Sequence, residues 1–399
     1  MTTAAQRRVL TMNRGSATLK STLYDAGNGN ELLLSMNVDI GSGSGSQLKI
    51  ADSHGETLFD GPVDSPESNG ALEAMVAWLN ERGFLSGLAA VGHRLVHGGP
   101  RYQDPRRVTK EFMSEIEDLA PLDPDHTPAA IRGIQFIAGR FPDVPQVACF
   151  DTAFHRTLPQ VARMYAVPRR LYDRGIVRYG FHGLSYEYVM SELAVLEDKL
   201  ANGRVIIAHL GSGASIAAVK NGKSVDTSMG FAPLEGLVMA TRSGDVDPGV
   251  LLYLLEQERI SAGNLSKLLN KESGLLGVSA TSGDMRELLE KSAQDSRAGD
   301  AVDLFCYRAK KYIGAYAAVL GGLDLLIFAG GIGEHAPPIR RRICQGLDFL
   351  GIRLDASAND ANAGLISAGD SRVRVRVIET NEDLMIVRHV VSLLGWTNA

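Results

Sequence analysis

From Arg204 the chain runs through Val205-Ile206-Ile207-Ala208 to His209-Leu210, then Gly211-Ser212-Gly213-Ala214-Ser215, then Ile216-Ala217-Ala218-Val219. Two short apolar runs with β-branched side chains, broken by small residues, predict two strands joined by a tight turn. Lys220-Asn221-Gly222-Lys223 follow, and Asn-Gly between strands is a hairpin signal. The same pattern stands near the N-terminus. Val9, Leu10 and Met12 lead into Asn13-Arg14-Gly15-Ser16-Ala17-Thr18-Leu19-Lys20, and Tyr24-Asp25-Ala26-Gly27-Asn28-Gly29-Asn30 supplies the next turn. A strand, polar turn, strand, hairpin, strand unit thus occurs twice, about half the chain apart, which points to internal duplication. Two such units facing each other predict a cleft with a Gly/Ser turn on each wall.

Strands and helices alternate along the rest of the chain. Helical periodicity over 69–82 stops at Gly83. A strand over 88–91 is followed by helices over 109–119 and 127–140, the second with Thr127 as N-cap and Pro128 in its first position. A buried strand over 144–150, a helix from Ser185 to about residue 200, and a helix started by Asp247-Pro248 come next. Gly283-Asp284-Met285-Arg286 opens another helix, a long one covers 298–320, and strands cover 323–328 and 373–378. A last helix over 383–394 is placed to return to the first domain. The Gly/Ser run 41–46 lies between strand-like segments at 32–38 and 47–50, and predicts a mobile loop within a meander.

At 399 residues the chain is too long for one comfortable core, so two domains are expected. A net charge of −5 argues against nucleic-acid binding, so an anionic ligand must be held by local charge. Cys149, Cys306 and Cys344 are scattered and odd in number, which suggests a reducing compartment and no metal cluster. The N-terminus has no apolar signal core. The longest apolar stretch, 316–332, carries Asp324 and several glycines and predicts a helix end, a break and a buried strand, not a membrane span. A cytoplasmic protein is expected.

Several residues stand out as chemistry. Gly211 and Gly213 let backbone approach a ligand closely, and Ser212 and Ser215 add hydroxyls beside exposed N–H groups, a way to hold phosphate oxygens; an ordinary hairpin turn reads the same way. Arg94, between an apolar run and Gly98-Gly99, suits bidentate capture of an anion, and His93 and His97 on either side of it fit structural roles. Asp151 ends a buried strand, where a carboxylate is costly unless used or paired and where α/β sheets gather ligands. His182 is bracketed by Gly180 and Gly183. Arg242 lies in a loop rich in Gly, Ser and Asp and offers a second arginine from the other half. Gly330-Gly331-Ile332-Gly333 is a third glycine-rich turn, suited to a nucleotide, and Glu382 is a second strand-end carboxylate.

Taken together, the first loop Asn13 to Lys20 and the segments GHRLVHGG, FDTAFH, GFHG, HLGSGAS, VDTSMGFAPLEGL, TRSGDVDP, GGIGE and TNEDL, in this order, resemble the acetate kinase family. That family also includes propionate kinases and falls within the acetate and sugar kinase, heat-shock 70 and actin superfamily. The resemblance covers nearly the whole chain. It implies an α/β fold of two duplicated ribonuclease-H-like (βββαβαβα) domains with the active site in the interdomain cleft. Residues 1–152 plus 385–399 would form the acyl-substrate domain and 153–384 the nucleotide-binding domain. It further implies a homodimer, Mg²⁺ or Mn²⁺, and reversible transfer of the ATP γ-phosphoryl group to a short-chain carboxylate.

Carried over by motif, Arg94 and Arg242 hold the carboxylate and the transferring phosphoryl group, and His182 stabilises that group in flight. Asp151 acts at the metal or the acceptor, Glu382 positions the metal, and Asn13 and Ser16 contribute to the metal and phosphate site. His209, Leu210, Gly211, Ser212 and Gly213 hold nucleotide phosphates, with Lys20, Ile332, Gly333 and His335 also on the nucleotide. Asp284, Met285, Arg286 and Gly331 border the adenosine. Val96, Phe181 and Pro233 match the pocket for the acyl methyl group. The chain departs from the family pattern at Arg14 (usually small), Ala17 (usually serine), and Ser212 and His335 (usually asparagine). It also has Asp125 where a pocket leucine is usual. Three alternatives stand beside this reading: a propionate or butyrate kinase, an actin- or heat-shock-like ATPase with a conformational output, and a nucleotide-binding regulator with a dead site, the last kept open by the departures at Arg14, Asp125 and Ser212. Direct in-line transfer is expected over a phosphorylated carboxylate on Asp151 or Glu382.

Overall fold

The computed structural model describes residues 7–14, 18–39, 46–63, 70–120, 123 and 126–396. Gly15, Ser16, Ala17, Asp125 and all but the last residue of the Gly/Ser run 41–46 lie outside them. The chain divides into two compact units, Met1–Ala153 with Asn381–Ala399, and Phe154–Thr380. Asn381, Glu382 and Asp383 fall in the first unit.

In the first unit, β1 (Arg8–Arg14), β2 (Thr18–Asp25) and β3 (Glu31–Asp39) form an antiparallel meander extended by β4 (Ser46–Asp52) and β5 (Thr57–Val63). On the other side of β1, β6 (Leu88–Leu95) pairs parallel, and β8 (Gln146–Phe150) pairs parallel to β6, with the two-residue β7 (Arg106–Arg107) at the edge. The sheet order is β5-β4-β3-β2-β1-β6-β8-β7. The second unit repeats its central part. β9 (Arg204–Leu210), β10 (Ala214–Lys220) and β11 (Lys223–Thr227) form the meander, and β12 (Leu325–Ala329) and β13 (Arg374–Val377) follow in parallel, in the order β11-β10-β9-β12-β13. A 3-2-1-4-5 order with the same strand directions in both halves is the duplication that the paired turns announce.

Parallel inner strands are covered on both faces, which is why β9 and β12 read as unbroken apolar runs. Leu325 to Ala329 are all 0% exposed. In the first unit, helix Gly70–Glu81 lays Leu72, Met75, Val76 and Leu79 on one sheet face. The other face receives helix Glu382–Leu393, and Gly92 on β6 permits the contact: a Cβ there would stand 2.3 Å from Ile386 Cγ2. In the second unit, helix Gly183–Ala201 contributes Tyr186, Val189 and Leu193 to a core with Val205, Ile207, Ala217, Leu325 and Ile327. Helix Ser296–Leu320 buries ten side chains and stops at Gly321, whose φ of +73° suits glycine.

Two local expectations are corrected. Thr127 is the first residue of helix Thr127–Arg140, not its cap; the cap position is His126. The carboxylate of Asp123 takes both the Thr127 hydroxyl (3.3 Å) and His126 Nδ1 (2.8 Å), so the threonine is turned away from the helix N–H groups. Helix Gly183–Ala201 is interrupted at Glu197 (φ −152°, ψ 71°), whose carboxylate is drawn to Arg374 and Arg376.

Candidate active site

The first unit gathers its charged candidates around Arg94. This residue lies at the end of β6, and Asp151 follows the end of β8, so the two parallel strands deliver a cation and an anion side by side. Arg94 Nε donates to both carboxylate oxygens of Asp151 at 3.0 Å, and Nη2 donates to Oδ2 at 2.5 Å. Nη1 donates to Asn13 Oδ1 at 2.8 Å and stands 3.6 Å from Glu382 Oε2. Asn13 closes the ring by donating from Nδ2 to Glu382 Oε2 at 3.1 Å. Asp151 is 1% exposed. Burial pushes its carboxyl up, and the Arg94 guanidinium opposes that. Burial alone would lower Arg94, but Asp151 and Glu382 raise it well above its ordinary value, so it is a fixed cation. Lys20 is directly opposite Asn13 in the β1–β2 pair and is exposed.

The flanking histidines are structural. His93 is buried, with Nε2 2.7 Å from Gln146 Oε1, and burial lowers it to about 4, so the ring is neutral. His97 Nδ1 accepts from Gly99 N at 2.8 Å and shapes the turn after β6. Val96 is buried in the same segment.

The second unit gathers its candidates around the β9–β10 turn. Gly211 N donates to Gly213 O at 3.1 Å, which makes the turn tight. A Cβ on Gly213 would lie 2.8 Å from Arg242 Nη2 and 3.2 Å from His182 Nε2, so both groups reach the turn where this residue has no side chain. His182 precedes helix Gly183–Ala201 with φ +58°, a left-handed conformation costly for histidine and common at functional sites. Its ring stacks on His209, centroids 4.3 Å apart. Phe181 is fully buried, and its carbonyl is 3.0 Å from His155 Nε2; His155 is held neutral at about 4 by burial.

Arg242 is aimed from its backbone. Ser273 N donates to Thr241 O, Leu275 N to Met239 O, and Ala240 N to Ser212 O, which ties its loop to the β9–β10 turn. Arg242 Nη1 donates to Pro233 O at 2.5 Å. The Pro233 segment is held by Arg178, which donates to Thr227 O and Met229 O and pairs with Glu235 at 2.5 Å.

The nucleotide candidates fall into two groups. Asp284 caps helix Met285–Lys291 through Arg286 N and Glu287 N; Met285 is buried and Arg286 exposed. The third glycine-rich segment is a short helix, Gly330–His335, not an open turn. Gly330 (φ +75°) sits against the Leu210 carbonyl, Gly331 faces open space, Ile332 is half-buried, Gly333 is buried, and His335 is exposed.

Sequence reasoning misassigned one hydroxyl and missed several partners. Ser215 Oγ does not face the turn; it lies 2.9 Å from His182 Nδ1 and 2.5 Å from Tyr186 OH. Ser185, Thr380 and Glu334 support the site and carry no signal of their own beyond adjacency to the motifs. Thr11 and Asp383, hydrogen-bonded at 3.1 Å, flank the Arg94 cluster; the acidic pair Glu382-Asp383 was visible, but not which carboxyl faces inward.

The pattern of the Acetokinase family matches residues 8–388. The chain is 45% identical to the acetate kinase of Rhodopseudomonas palustris, covering 96% of this chain and 98% of that one. It is 43% identical to acetate kinase 1 of Neisseria meningitidis serogroup A, with 98% and 100% covered. Among solved structures, a propionate kinase from Francisella tularensis superposes with a TM-score of 0.91 at 36% identity, over 96% of this chain and 98% of that one. The acetate kinase of Porphyromonas gingivalis gives 0.88 at 40% identity, over 97% and 100%.

Asp383 makes the first unit's stability depend on pH. Burial, then Glu382, raises its carboxyl from 3.8 to about 6, against the Thr11 hydrogen bond, Lys20 and Arg94. The folded chain then holds a proton that the unfolded chain releases, so its contribution is fully present below about pH 4 and is lost as pH rises through about 6. The unfolding free energy of the native chain minus that of Asp383→Asn should fall between about pH 4 and about pH 6.5; a constant difference contradicts the assignment.

Proposed function

This chain belongs to the acetokinase family and is an acetate kinase, and we propose that it moves the γ-phosphoryl group of ATP reversibly to acetate by direct in-line transfer. Phosphoryl transfer asks the protein for positioning and for positive charge around the moving oxygens. Arg94 binds the acceptor carboxylate, and Asp151 acts through Arg94 by fixing its guanidinium. Both Asp151 oxygens are already engaged and the side chain is 1% exposed, which disfavours it as a nucleophile and supports direct transfer. The observation that carries the reading is the approach of Arg242 Nη2 and His182 Nε2 to one glycine of the β9–β10 turn. Those two groups receive the transferring phosphoryl oxygens, and His209 to Gly213 hold the nucleotide phosphates. Lys20 also serves the phosphates, and residues 284–286 and 331–333 with His335 border the nucleotide.

Asn13 and Glu382 would hold Mg²⁺. Among the described residues no group of three His, Cys, Asp or Glu side chains is arranged to hold a metal ion, but Mg²⁺ keeps most of its waters and takes one or two carboxylates plus substrate phosphates. The Glu382 carboxylate and the Asn13 amide, side by side, supply the oxygen ligands such a site takes. When bound, Mg²⁺ neutralises charge on the phosphoryl oxygens. Propionate is a second acceptor, supported by the likeness to the F. tularensis propionate kinase.

A second copy of the chain completes the assembly. Helix Pro248–Glu256 has no buried residue although Val250 to Leu255 are all apolar, with Leu252 55% and Tyr253 56% exposed. Such a face fits a homodimer contact. None of the described helices is long and apolar enough to cross a membrane. ATP as substrate and three buried, scattered cysteines fit a cytoplasmic setting.

Acyl phosphate formation with ATP and Mg²⁺ across acetate, propionate and butyrate tests the activity. Arg242→Ala should lower kcat about 10²- to 10³-fold with the unfolding transition unchanged; near-normal turnover removes Arg242 from the mechanism. Light scattering should show a dimer for the native chain and a monomer for Leu252→Glu; a native monomer, or an unaffected dimer, contradicts the assigned face.

A further inference from the structure

Two hydrogen-bonded relays end on the two stacked histidines, and each has one direction that satisfies its hydrogens. In the first, Thr380 Oγ1 donates to Ser185 Oγ at 2.8 Å, and Ser185 Oγ lies 2.8 Å from His209 Nδ1. If Ser185 also accepted from Nδ1–H, its own hydrogen would have no acceptor among the described residues, so it is given to Nδ1. His209 therefore accepts at Nδ1 and carries its proton on Nε2. In the second, Tyr186 OH is 2.5 Å from Ser215 Oγ, which is 2.9 Å from His182 Nδ1. Tyr186 is 0% exposed, and burial raises its phenol, so it keeps its hydrogen. The opposite direction would leave that hydrogen without an acceptor among the described residues. Tyr186 donates, Ser215 passes its own hydrogen to Nδ1, and His182 also carries its proton on Nε2.

Both Nε2 atoms border the β9–β10 turn. His182 Nε2 is 3.2 Å from the Cβ position of Gly213, and His209 Nε2 is 3.9 Å from that of Gly211. The rings stack at 4.3 Å, and in a neutral imidazole the tautomer decides which nitrogen carries the N–H. The far end of the first relay is anchored as well. Glu334 Oε1 accepts from Gly330 N at 2.7 Å and from Thr380 N at 3.0 Å. Arg340, fully buried, donates to Gly333 O, Glu334 O, Asn359 and Asn362, and so fixes the segment that carries Glu334.

We propose that Ser185 and Ser215 are positioning residues that set the tautomers of His209 and His182, so that both rings present Nε2–H to phosphoryl oxygens at the 211–213 turn. This rests on the reading of that turn as the phosphate site. Neither serine touches substrate; each acts through a histidine, as an outer partner that orients a functional imidazole.

Two-bond ¹⁵N–¹H spectra of the histidine-labelled full chain at mildly alkaline pH report which nitrogen carries the proton, with His182→Gln and His209→Gln assigning the signals. The native chain should show Nε2–H for both. Ser215→Ala should release His182 from a single tautomer and lower kcat about 10- to 100-fold, with KM for ATP changed less than about twofold. Ser215→Thr should restore both readouts, and Ser185→Ala should act likewise on His209. Should Ser215→Ala fail to fold, Tyr186→Phe removes the donor that holds the Ser215 hydroxyl in this direction and should shift both readouts in the same sense, by less. Nδ1–H in the native chain, unchanged spectra in the alanine variants, or released tautomers with kcat intact would each overturn the inference. Acyl phosphate formation is read in the same samples. An inactive native chain sinks the functional reading, whereas the wrong proton in an active chain sinks this one.

Discussion

A guanidinium that cannot lose its charge, enclosed by three groups that need it, is the constraint on which the first unit is built. Arg94 satisfies Asp151 through two nitrogens and Asn13 and Glu382 through a third. Removing any carboxylate to solvent would relax the cluster; burying one without Arg94 would be prohibitive. Two parallel strands and one helix start must therefore end at the same place, and the sheet order and the return of the C-terminal helix to β6 supply that. The arrangement leaves a cation with its orientation determined before any ligand arrives, which is what preorganised binding of a planar carboxylate needs.

The duplicated unit is used differently in its two copies. In the first, the strand-one end offers Asn13, with Lys20 across the pair. In the second, the equivalent position offers His209, and the turn stays tight enough for Arg242 and His182 to approach it. The same backbone geometry thus serves an oxygen-donor set in one unit and a set of N–H donors in the other.

Much of this was legible in the chain. The meander-plus-parallel pattern followed from the two polar turns and the apolar runs at β9 and β12. Arg94, Asp151, His182 and Arg242 stood out because costly residues sat at strand ends or between glycines. What was not legible depends on side-chain direction. Ser215 read as a phosphate contact because it sits in the turn, yet strand alternation points its hydroxyl at His182. Thr127 read as a cap because Pro128 follows, but Asp123, four residues earlier, competes for its hydroxyl. Buried supports such as Arg340 and Glu334 are invisible until the chain brings remote carbonyls and amides to them.

The dependence of Asp151 on Arg94 is tested most directly by a double-mutant cycle on kcat/KM for acetate with Arg94→Ala, Asp151→Asn and both together. If Asp151 works by holding the guanidinium, its loss costs almost nothing once Arg94 is gone, and the coupling should be about 2–3 kcal/mol. Effects that add to within about 0.5 kcal/mol would show that the two residues act separately and would contradict the account.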